Sequence, residues 1–204
     1  MDVRERRAAI RYISSIPVGA ALAAICSKKE IHIGNRPGQY CHMAYRKPNS
    51  KALRKNRFSE PGRPYLVTTS CLDRQPIFSD QTLGALVAGE IRNSDESNRT
   101  FTYAYVVMPN HIHWLFQLRP RQTLSSVIRR VKGRSSFRIN QIRQSSGPIW
   151  QTGFHDRAVR AEESLETLGN YVIHNPVRAG LVLGADDYPL WDLMWRRHGE
   201  PDRG

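Results

Sequence analysis

Two histidines separated by one residue, His111 and His113, are the first feature of this sequence with chemical potential. They belong to the segment HIHWLFQL, whose alternating apolar residues are typical of a β-strand. Residues i and i+2 of a strand point to the same face, so both imidazoles should converge on one volume. Two neutral imidazoles placed in this way are a natural pair of ligands for a divalent cation. An ordinary surface pair on a strand has the same spacing, so the spacing alone leaves both interpretations open.

A tyrosine and an asparagine near the end of a predicted helix form the second group. Tyr171 and Asn175 are four residues apart, which places them on one face of that helix. A phenol beside a cation is a good nucleophile toward phosphorus, because the cation polarises the phosphoryl oxygen. A packed tyrosine, and an asparagine that ends the helix before Pro176, would also explain these residues.

The positive charge of the chain predicts a polyanionic partner, and nucleic acid is the commonest one. The 204 residues include 31 Lys and Arg but only 18 Asp and Glu, which gives a net charge of +13. Two clusters free of acidic residues are predicted to bind phosphate: Arg46, Lys47, Lys51, Arg54, Lys55 and Arg57, and, on a predicted helix, Arg129, Arg130, Lys132, Arg134 and Arg138. A solvated tail would explain the first cluster equally well. Phe137, Trp150 and Phe154 lie close enough in sequence to the second cluster to offer stacking platforms for unpaired bases.

The hydrophobic pattern predicts the elements that position these residues. Strands are predicted at 65–71, 101–108, 111–118 and 154–160, and helices from Ser79 or Asp80 onward, at 124–142 and at 162–175. The order βαββαβα predicts a ferredoxin-like α+β sandwich with an antiparallel sheet and helices on one face.

The pattern also predicts how the chain is divided. Residues 1–42 carry arginines followed by an uncharged stretch, an order that imitates a signal peptide, and we expect a disordered leader or mistranslated extension. A basic arm at 43–63, a domain at 64–188 and a C-terminal tail at 189–204 are predicted to follow. No uninterrupted apolar run reaches 18 residues, which excludes an ordinary membrane span. Three cysteines without a CxxC pair suit a reducing compartment, and we expect a cytoplasmic, nucleoid-associated protein.

The stretches VVMPNHIHWLF and YVIHNPVRAGLV resemble the REP-associated tyrosine transposases, where REP stands for repetitive extragenic palindrome. These proteins are a branch of the single-tyrosine insertion-sequence transposases within the HUH endonuclease superfamily. GRPYLVTTSCLDRQPIF, LSSVIRRVKGRSSFRIN and IWQTGFHDRAVRAEE are also similar, in the family's order. The resemblance covers about 62–182, and PNHIH followed by Y-x-x-x-N-P-V is a specific combination.

The resemblance implies a role for each candidate residue. His111 and His113 would be metal ligands for Mg²⁺ or Mn²⁺, with Asn175 as the third ligand. Tyr171 would attack single-stranded DNA beside a hairpin of the REP type, forming a 5′-phosphotyrosine and releasing a 3′-hydroxyl. No nucleotide cofactor and no membrane would be needed, and the protein would act as a monomer or a homodimer.

Two alternatives stay open at this stage. His155 or His174 could replace Asn175 as a ligand or assist proton transfer. A non-catalytic DNA-hairpin-binding protein, with a regulatory or structural role, would share the fold and the charge. The presence of His111, His113 and Tyr171 together argues against that second alternative, since a binding protein has no need of all three.

Overall fold

The computed structural model describes residues 59–194 of the chain. Besides three 3₁₀ turns, nine helices and strands follow one another in this part: β1 (Pro64–Ser70), α1 (Gln81–Glu96), β2 (Thr100–Met108), β3 (His111–Leu118), α2 (Leu124–Arg143), β4 (His155–Ala158), α3 (Leu165–Ile173), α4 (Asn175–Arg178) and β5 (Trp191–Leu193). The predicted order βαββαβα is confirmed through α3. The one-turn helix α4 and the strand β5 were not predicted.

The five strands form one antiparallel sheet in the order β4-β1-β3-β2-β5. The first four strands have the ferredoxin-like order, in which β3 of the β2–β3 hairpin lies between β1 and β2. The predicted ferredoxin-like α+β fold is therefore confirmed. The β1–β3 register places Thr68 opposite His113 and Ser70 opposite His111, so the histidine pair lies on the central strand.

Helices cover both faces of the sheet, which corrects the expectation of helices on one face. The helices α1 and α2 share a hydrophobic cluster with Trp114 and Phe116 of β3. On the opposite face, Val172 and Ile173 of α3 share a second cluster with Leu115. The physical reason is that β3 is apolar on both sides here, because the adjacent residues Trp114 and Leu115 are both fully buried.

Capping residues determine where the helices begin. Asp80 precedes α1, and its Oδ1 accepts hydrogen bonds from the backbone of Thr82 at 2.8 Å and Leu83 at 3.4 Å. Ser164 caps α3 in the same way, so this helix begins three residues later than predicted. The carboxylate of Glu163 is occupied elsewhere, since it accepts hydrogen bonds from the Arg157 side chain and the Arg160 backbone.

The described part of the domain extends beyond both predicted boundaries. Gly62 donates a backbone hydrogen bond to Leu118 at 2.8 Å, so residues assigned to the basic arm already contact β3. At the other end, Val107 donates to the carbonyl of Leu190 at 2.8 Å, and β5 pairs with β2. Residues 189–193, predicted as part of a tail, are thus continuous with the sheet. The predicted leader, most of the arm and the last ten residues lie outside the described range.

No helix within residues 59–194 is long and apolar enough to cross a lipid bilayer.

Candidate active site

The imidazoles of His111 and His113 converge as their spacing on one strand predicts. Their Nε2 atoms are 3.1 Å apart, and their ring planes lie nearly perpendicular, at 88°. The Nδ1 atom of His111 lies 2.6 Å from Asn110 Oδ1, and that of His113 lies 2.9 Å from Thr68 Oγ1. Because an amide oxygen only accepts, His111 donates its Nδ1 proton to Asn110. The Thr68 hydroxyl can likewise accept a proton from Nδ1 of His113. Both Nε2 lone pairs can therefore face one point between the rings.

Both histidines are held in the neutral form at pH 7. Burial lowers the pKa of His111, and the positive charge of Arg74 lowers it further. Burial, the neighbouring His111 and the charge of Arg178 together lower the pKa of His113 to about 4. Neutral imidazole is the form that binds a metal ion, so the geometry and the protonation state agree.

The helix α3 presents Tyr171 on the histidine side of the sheet while burying the residues that follow it. Tyr171 is 46% exposed, whereas Val172 and Ile173 are fully buried. Asn175 lies just beyond the helix and donates its Nδ2 hydrogens to the carbonyls of Tyr171 at 3.1 Å and Val172 at 3.0 Å. These bonds satisfy two carbonyls at the end of the helix and fix the amide plane of Asn175. No described residue donates to its Oδ1 atom, which is the donor atom that a cation would use.

The side chains of His111, His113 and Asn175 include no carboxylate, but they can still bind a divalent cation. Within residues 59–194 no three His, Cys, Asp or Glu side chains form a cluster suited to a metal ion. The implied set consists of two imidazoles and one carboxamide, and imidazole nitrogen and amide oxygen are both ordinary ligands for divalent cations. The two imidazoles are also oriented by hydrogen bonds on their far nitrogens, as metal-binding histidines are.

The two other candidate histidines stand apart from this pair. His174 is exposed, and its Nδ1 hydrogen-bonds the Asn170 carbonyl at 2.7 Å, one turn back in its own helix. His155 is exposed on the edge strand β4, in register with Thr68. Two strand spacings separate it from His113, or about 10 Å between backbones. A role for either histidine in proton transfer stays a prediction.

Four residues near the histidines were missed at the level of sequence. Thr68 and Asn110 hold the two Nδ1 atoms, and the guanidinium carbon of Arg178 lies 4.4 Å from the centre of the Tyr171 ring. The charge of Arg74 acts on His111. Asn110 and Arg178 lie inside the motifs PNHIH and NPVR, so the sequence did contain a signal for them. Only the strand register reveals Thr68.

The basic helix α2 lies on the opposite face of the sheet from the histidine pair. Its predicted DNA-binding arginines are exposed: Arg129, Arg130, Arg134 and Arg138. Although α2 has no acidic residue, Glu90 of α1 supplies one. Its carboxylate, 2% exposed, lies 2.7 Å from Arg134 and 3.2 Å from Arg138. Burial raises the pKa of Glu90, but the hydrogen bonds from Arg134, Arg138 and Asn93 and the charge of Arg134 together outweigh burial and leave this pKa below its usual value.

A polar cavity of about 140 Å³ lies between α1 and α2. Arg99, Arg130 and Arg134 line it together with Glu90. The exposed aromatic residue of this surface is Phe137, at 65%, whereas Trp150 and Phe154 are buried in the core. Of the three predicted stacking platforms, only Phe137 is accessible to a base.

Lys132 differs from the arginines of the same cluster, because its ammonium is already engaged. Its Nζ atom donates to the carbonyls of Gln151 at 2.6 Å and Gly153 at 2.8 Å. Burial lowers the pKa of Lys132 to about 8. The predicted contacts of the other cluster lie outside the described residues: Arg46, Lys47, Lys51, Arg54, Lys55 and Arg57.

The family of the chain follows from a match over residues 64–175 to the family described as "Transposase IS200 like". The match covers more than half of the 204 residues, and the chain belongs to this transposase family. Within it, the chain is similar to a Haemophilus influenzae protein named as a REP-associated tyrosine transposase, with 30% identity over 99 residues. That alignment covers 43% of this chain and 56% of the relative, so the chain spans little more than half of the relative's length. The resemblance seen in the motifs is confirmed.

A solved transposase structure shares the fold. A REP-associated tyrosine transposase bound to a REP hairpin matches with a TM-score of 0.55 and 23% identity, covering 66% of this chain and 79% of that one. A transposase from Deinococcus radiodurans matches with a TM-score of 0.42 and 18% identity, covering 58% and 92%. The first match supports the fold, and the second score is too low to add to it.

Proposed function

We propose that this protein is a single-stranded DNA nicking and joining enzyme, a transposase in which Tyr171 cuts DNA beside a hairpin. The observation that carries the proposal is the convergence of two neutral imidazoles, 3.1 Å apart, on the sheet face that also carries the helix of Tyr171. Family membership and the net charge of +13 support DNA as the substrate. The hairpin is proposed because the matching structure of a REP-associated transposase is bound to one.

His111, His113 and Asn175 would hold a Mg²⁺ or Mn²⁺ ion. When bound, the ion supplies Lewis-acid polarisation of the scissile phosphate. The chain contributes orientation, since Thr68 and Asn110 fix the two imidazoles through their Nδ1 atoms.

The chemical step belongs to Tyr171. Its hydroxyl oxygen attacks the phosphorus in line, a bond forms between that oxygen and the 5′-phosphate, and the bond to the 3′-oxygen breaks. The phenolic proton is released and the 3′-oxygen takes up a proton, so the products are a 5′-phosphotyrosine and a free 3′-hydroxyl. The step needs no other reactant, and attack by a 3′-hydroxyl on the phosphotyrosine rejoins the strand.

The decisive experiment is a denaturing gel of the protein with labelled single-stranded hairpin DNAs, with Mn²⁺ or with EDTA. Wild type should give a covalent protein–DNA band with Mn²⁺ only, and Tyr171→Phe should give none while binding the hairpin nearly as well. Tyr103→Phe is the matched control, because it removes a hydroxyl from the same face, where Tyr103 bonds Gln117, and it should form the band. A band retained in Tyr171→Phe would place the nucleophile elsewhere.

The same gel, together with a binding measurement, distinguishes the proposed enzyme from a non-catalytic DNA-hairpin-binding protein. Tight hairpin binding with no band, for chromosomal repeat hairpins as well as arbitrary ones, would favour a DNA-hairpin-binding protein. Absence of any binding would contradict both functions. The metal role has its own readout: His111→Ala should lose Mn²⁺ binding in isothermal titration while its circular dichroism spectrum stays that of wild type.

A further inference from the structure

We propose that Arg74 and Arg178 form an arginine clamp that binds the phosphate attacked by Tyr171. The clamp rests on the proposed function and adds a substrate-binding role to two residues outside the implied ligand set. Arg178 approaches from the tyrosine side and Arg74 from the side of His111.

Arg178 is fixed against Tyr171 by local structure. Its guanidinium carbon lies 4.4 Å from the ring centre, a distance typical of a cation–π contact. The backbone of Arg178 donates to the His174 carbonyl at 3.0 Å, which ties α4 to the end of α3. Residues of α3 and α4 pack against the sheet face that carries both histidines, so Arg178 lies beside the proposed nucleophile on the histidine side of the sheet.

Arg74 lies on the segment that follows β1, and this segment is attached to the support of the other histidine. The backbone of Cys71 donates to the Asn110 carbonyl at 2.9 Å, and Asn110 in turn bonds His111. Asp73 and Arg74 have φ values of 50° and 52°, the left-handed region that residues other than glycine rarely adopt. Two such residues in succession cost about 1–3 kcal/mol each and are typical of functional sites. The strain lies next to the histidine pair.

The two guanidinium groups lack a negative partner within residues 59–194. Ion pairs there join Arg63, Arg134, Arg138 and Arg157 to glutamates, and neither Arg74 nor Arg178 takes part. Both side chains are exposed, and Asp73 adjoins Arg74 without forming an ion pair with it. Arg178 beside Tyr171 and Arg74 on the segment tied to Asn110 thus offer an anion two guanidinium groups that have no carboxylate partner among the described residues.

A phosphodiester matches these two residues in charge and in hydrogen-bonding chemistry. It carries one negative charge and two non-bridging oxygens, and each guanidinium presents a planar fork of N–H donors that matches such oxygens. Because charge builds on these oxygens during attack, donors placed in advance stabilise the transition state more than the bound substrate.

The first test compares single variants in the covalent-band assay. Arg178→Ala should form the band about 100-fold more slowly, the effect of removing one preorganised donor, with hairpin affinity changed far less. Arg178→Lys should recover only part of the rate, since lysine keeps the charge but lacks the fork. Arg74→Asn should also be slower, and asparagine tolerates the left-handed backbone. Arg121→Asn is the matched control and should react like wild type, because Arg121 has a φ of 63° on the loop at the other end of β3.

A binding measurement tests the clamp without turnover. The cleaved position is mapped with wild type, and that phosphate is then replaced by an uncharged methylphosphonate. With EDTA present, so that no cation contributes, the replacement should weaken binding to Tyr171→Phe but have no further effect once Arg74→Asn and Arg178→Ala are added. Equal weakening in both proteins, or wild-type rates in the double arginine variant, would overturn the clamp while leaving the proposed function intact. A wild type that forms no band on any hairpin would overturn the proposed function and the clamp with it.

Discussion

Replacement of Lys132 by methionine should change the stability of the domain in a way that depends on pH. The Lys132 ammonium donates two hydrogen bonds to carbonyls of the segment before β4, at 2.6 and 2.8 Å. Lys132→Met keeps the aliphatic length but leaves the carbonyls of Gln151 and Gly153 without this donor. Loss of these bonds should lower the free energy of unfolding at pH 7 by about 1–3 kcal/mol.

The sign of the pH effect follows from the direction of the pKa shift. Lys132 has a folded-state pKa of about 8 against an ordinary value of 10.5. Between these values the unfolded chain holds the proton and the folded chain does not, so wild-type stability rises as the pH increases from 8 toward 10.5. From pH 7 to pH 9 the deprotonation of Lys132 should add about 1 kcal/mol to the free energy of unfolding of wild type. This figure allows for solvent screening, because the side chain is only partly buried. Lys132→Met lacks this rise, so the difference in free energy of unfolding between wild type and the variant should increase with pH.

Urea unfolding of wild type and Lys132→Met, followed by circular dichroism at pH 7, 8 and 9, measures this difference in free energy of unfolding. Cys71, whose pKa burial raises to about 12, lowers stability above pH 9 in both proteins and largely cancels in the difference. Arg129→Met, an exposed position on the same helix, is the control and should parallel wild type at every pH. If the difference in free energy of unfolding between wild type and Lys132→Met stays constant or decreases from pH 7 to pH 9, the Lys132 ammonium is not buried and hydrogen-bonded as described.

Three further outcomes are expected. Glu90→Gln should lower the free energy of unfolding by about 1–3 kcal/mol in urea melts, since it removes the charge and replaces one of two buried acceptor oxygens with a donor. The control Glu163→Gln, whose ion pair with Arg157 is more exposed, should have a smaller effect. Thr68→Val should free Nδ1 of His113 and weaken Mn²⁺ binding about 10-fold or more by isothermal titration, and unchanged affinity would exclude the orienting role. Phe137→Ala should weaken single-stranded DNA binding by about 1–3 kcal/mol in fluorescence anisotropy at unchanged stability, and equal affinity would exclude stacking.

Local patterns in the sequence were sufficient to predict the central part of the fold and the histidine pair. The alternation in HIHWLFQL defined β3 and its shared histidine face, and the βαββαβα order then predicted the sheet. The helix start at Asp80 followed from its capping chemistry. Each of these inferences depends on residues a few positions apart, which is where side-chain spacing and backbone geometry are tightly coupled.

Features that depend on distant contacts were missed. The strand β5 has three residues, too few to show a period, and it exists because Leu193 pairs across from Ala104. The side of the sheet covered by α3 could not be predicted from the sequence, because β3 buries side chains on both faces, Trp114 on one and Leu115 on the other. Thr68 reaches His113 only through the β1–β3 register, and the left-handed backbone of Arg74 has no signature in its residue type.

The two hydrophobic clusters on either side of the sheet differ in size, and this difference has a dynamic consequence. The cluster beneath α1 and α2 has several large aromatic side chains among its buried members, whereas the buried members beneath the nine-residue α3 are smaller and include no aromatic ring. Local opening follows the weaker packing, so amide protons of α3 should exchange with solvent before those of β3. A fluctuation of α3 would carry Tyr171 away while the histidines stay on the sheet. The chain can then be folded and inactive at the same time.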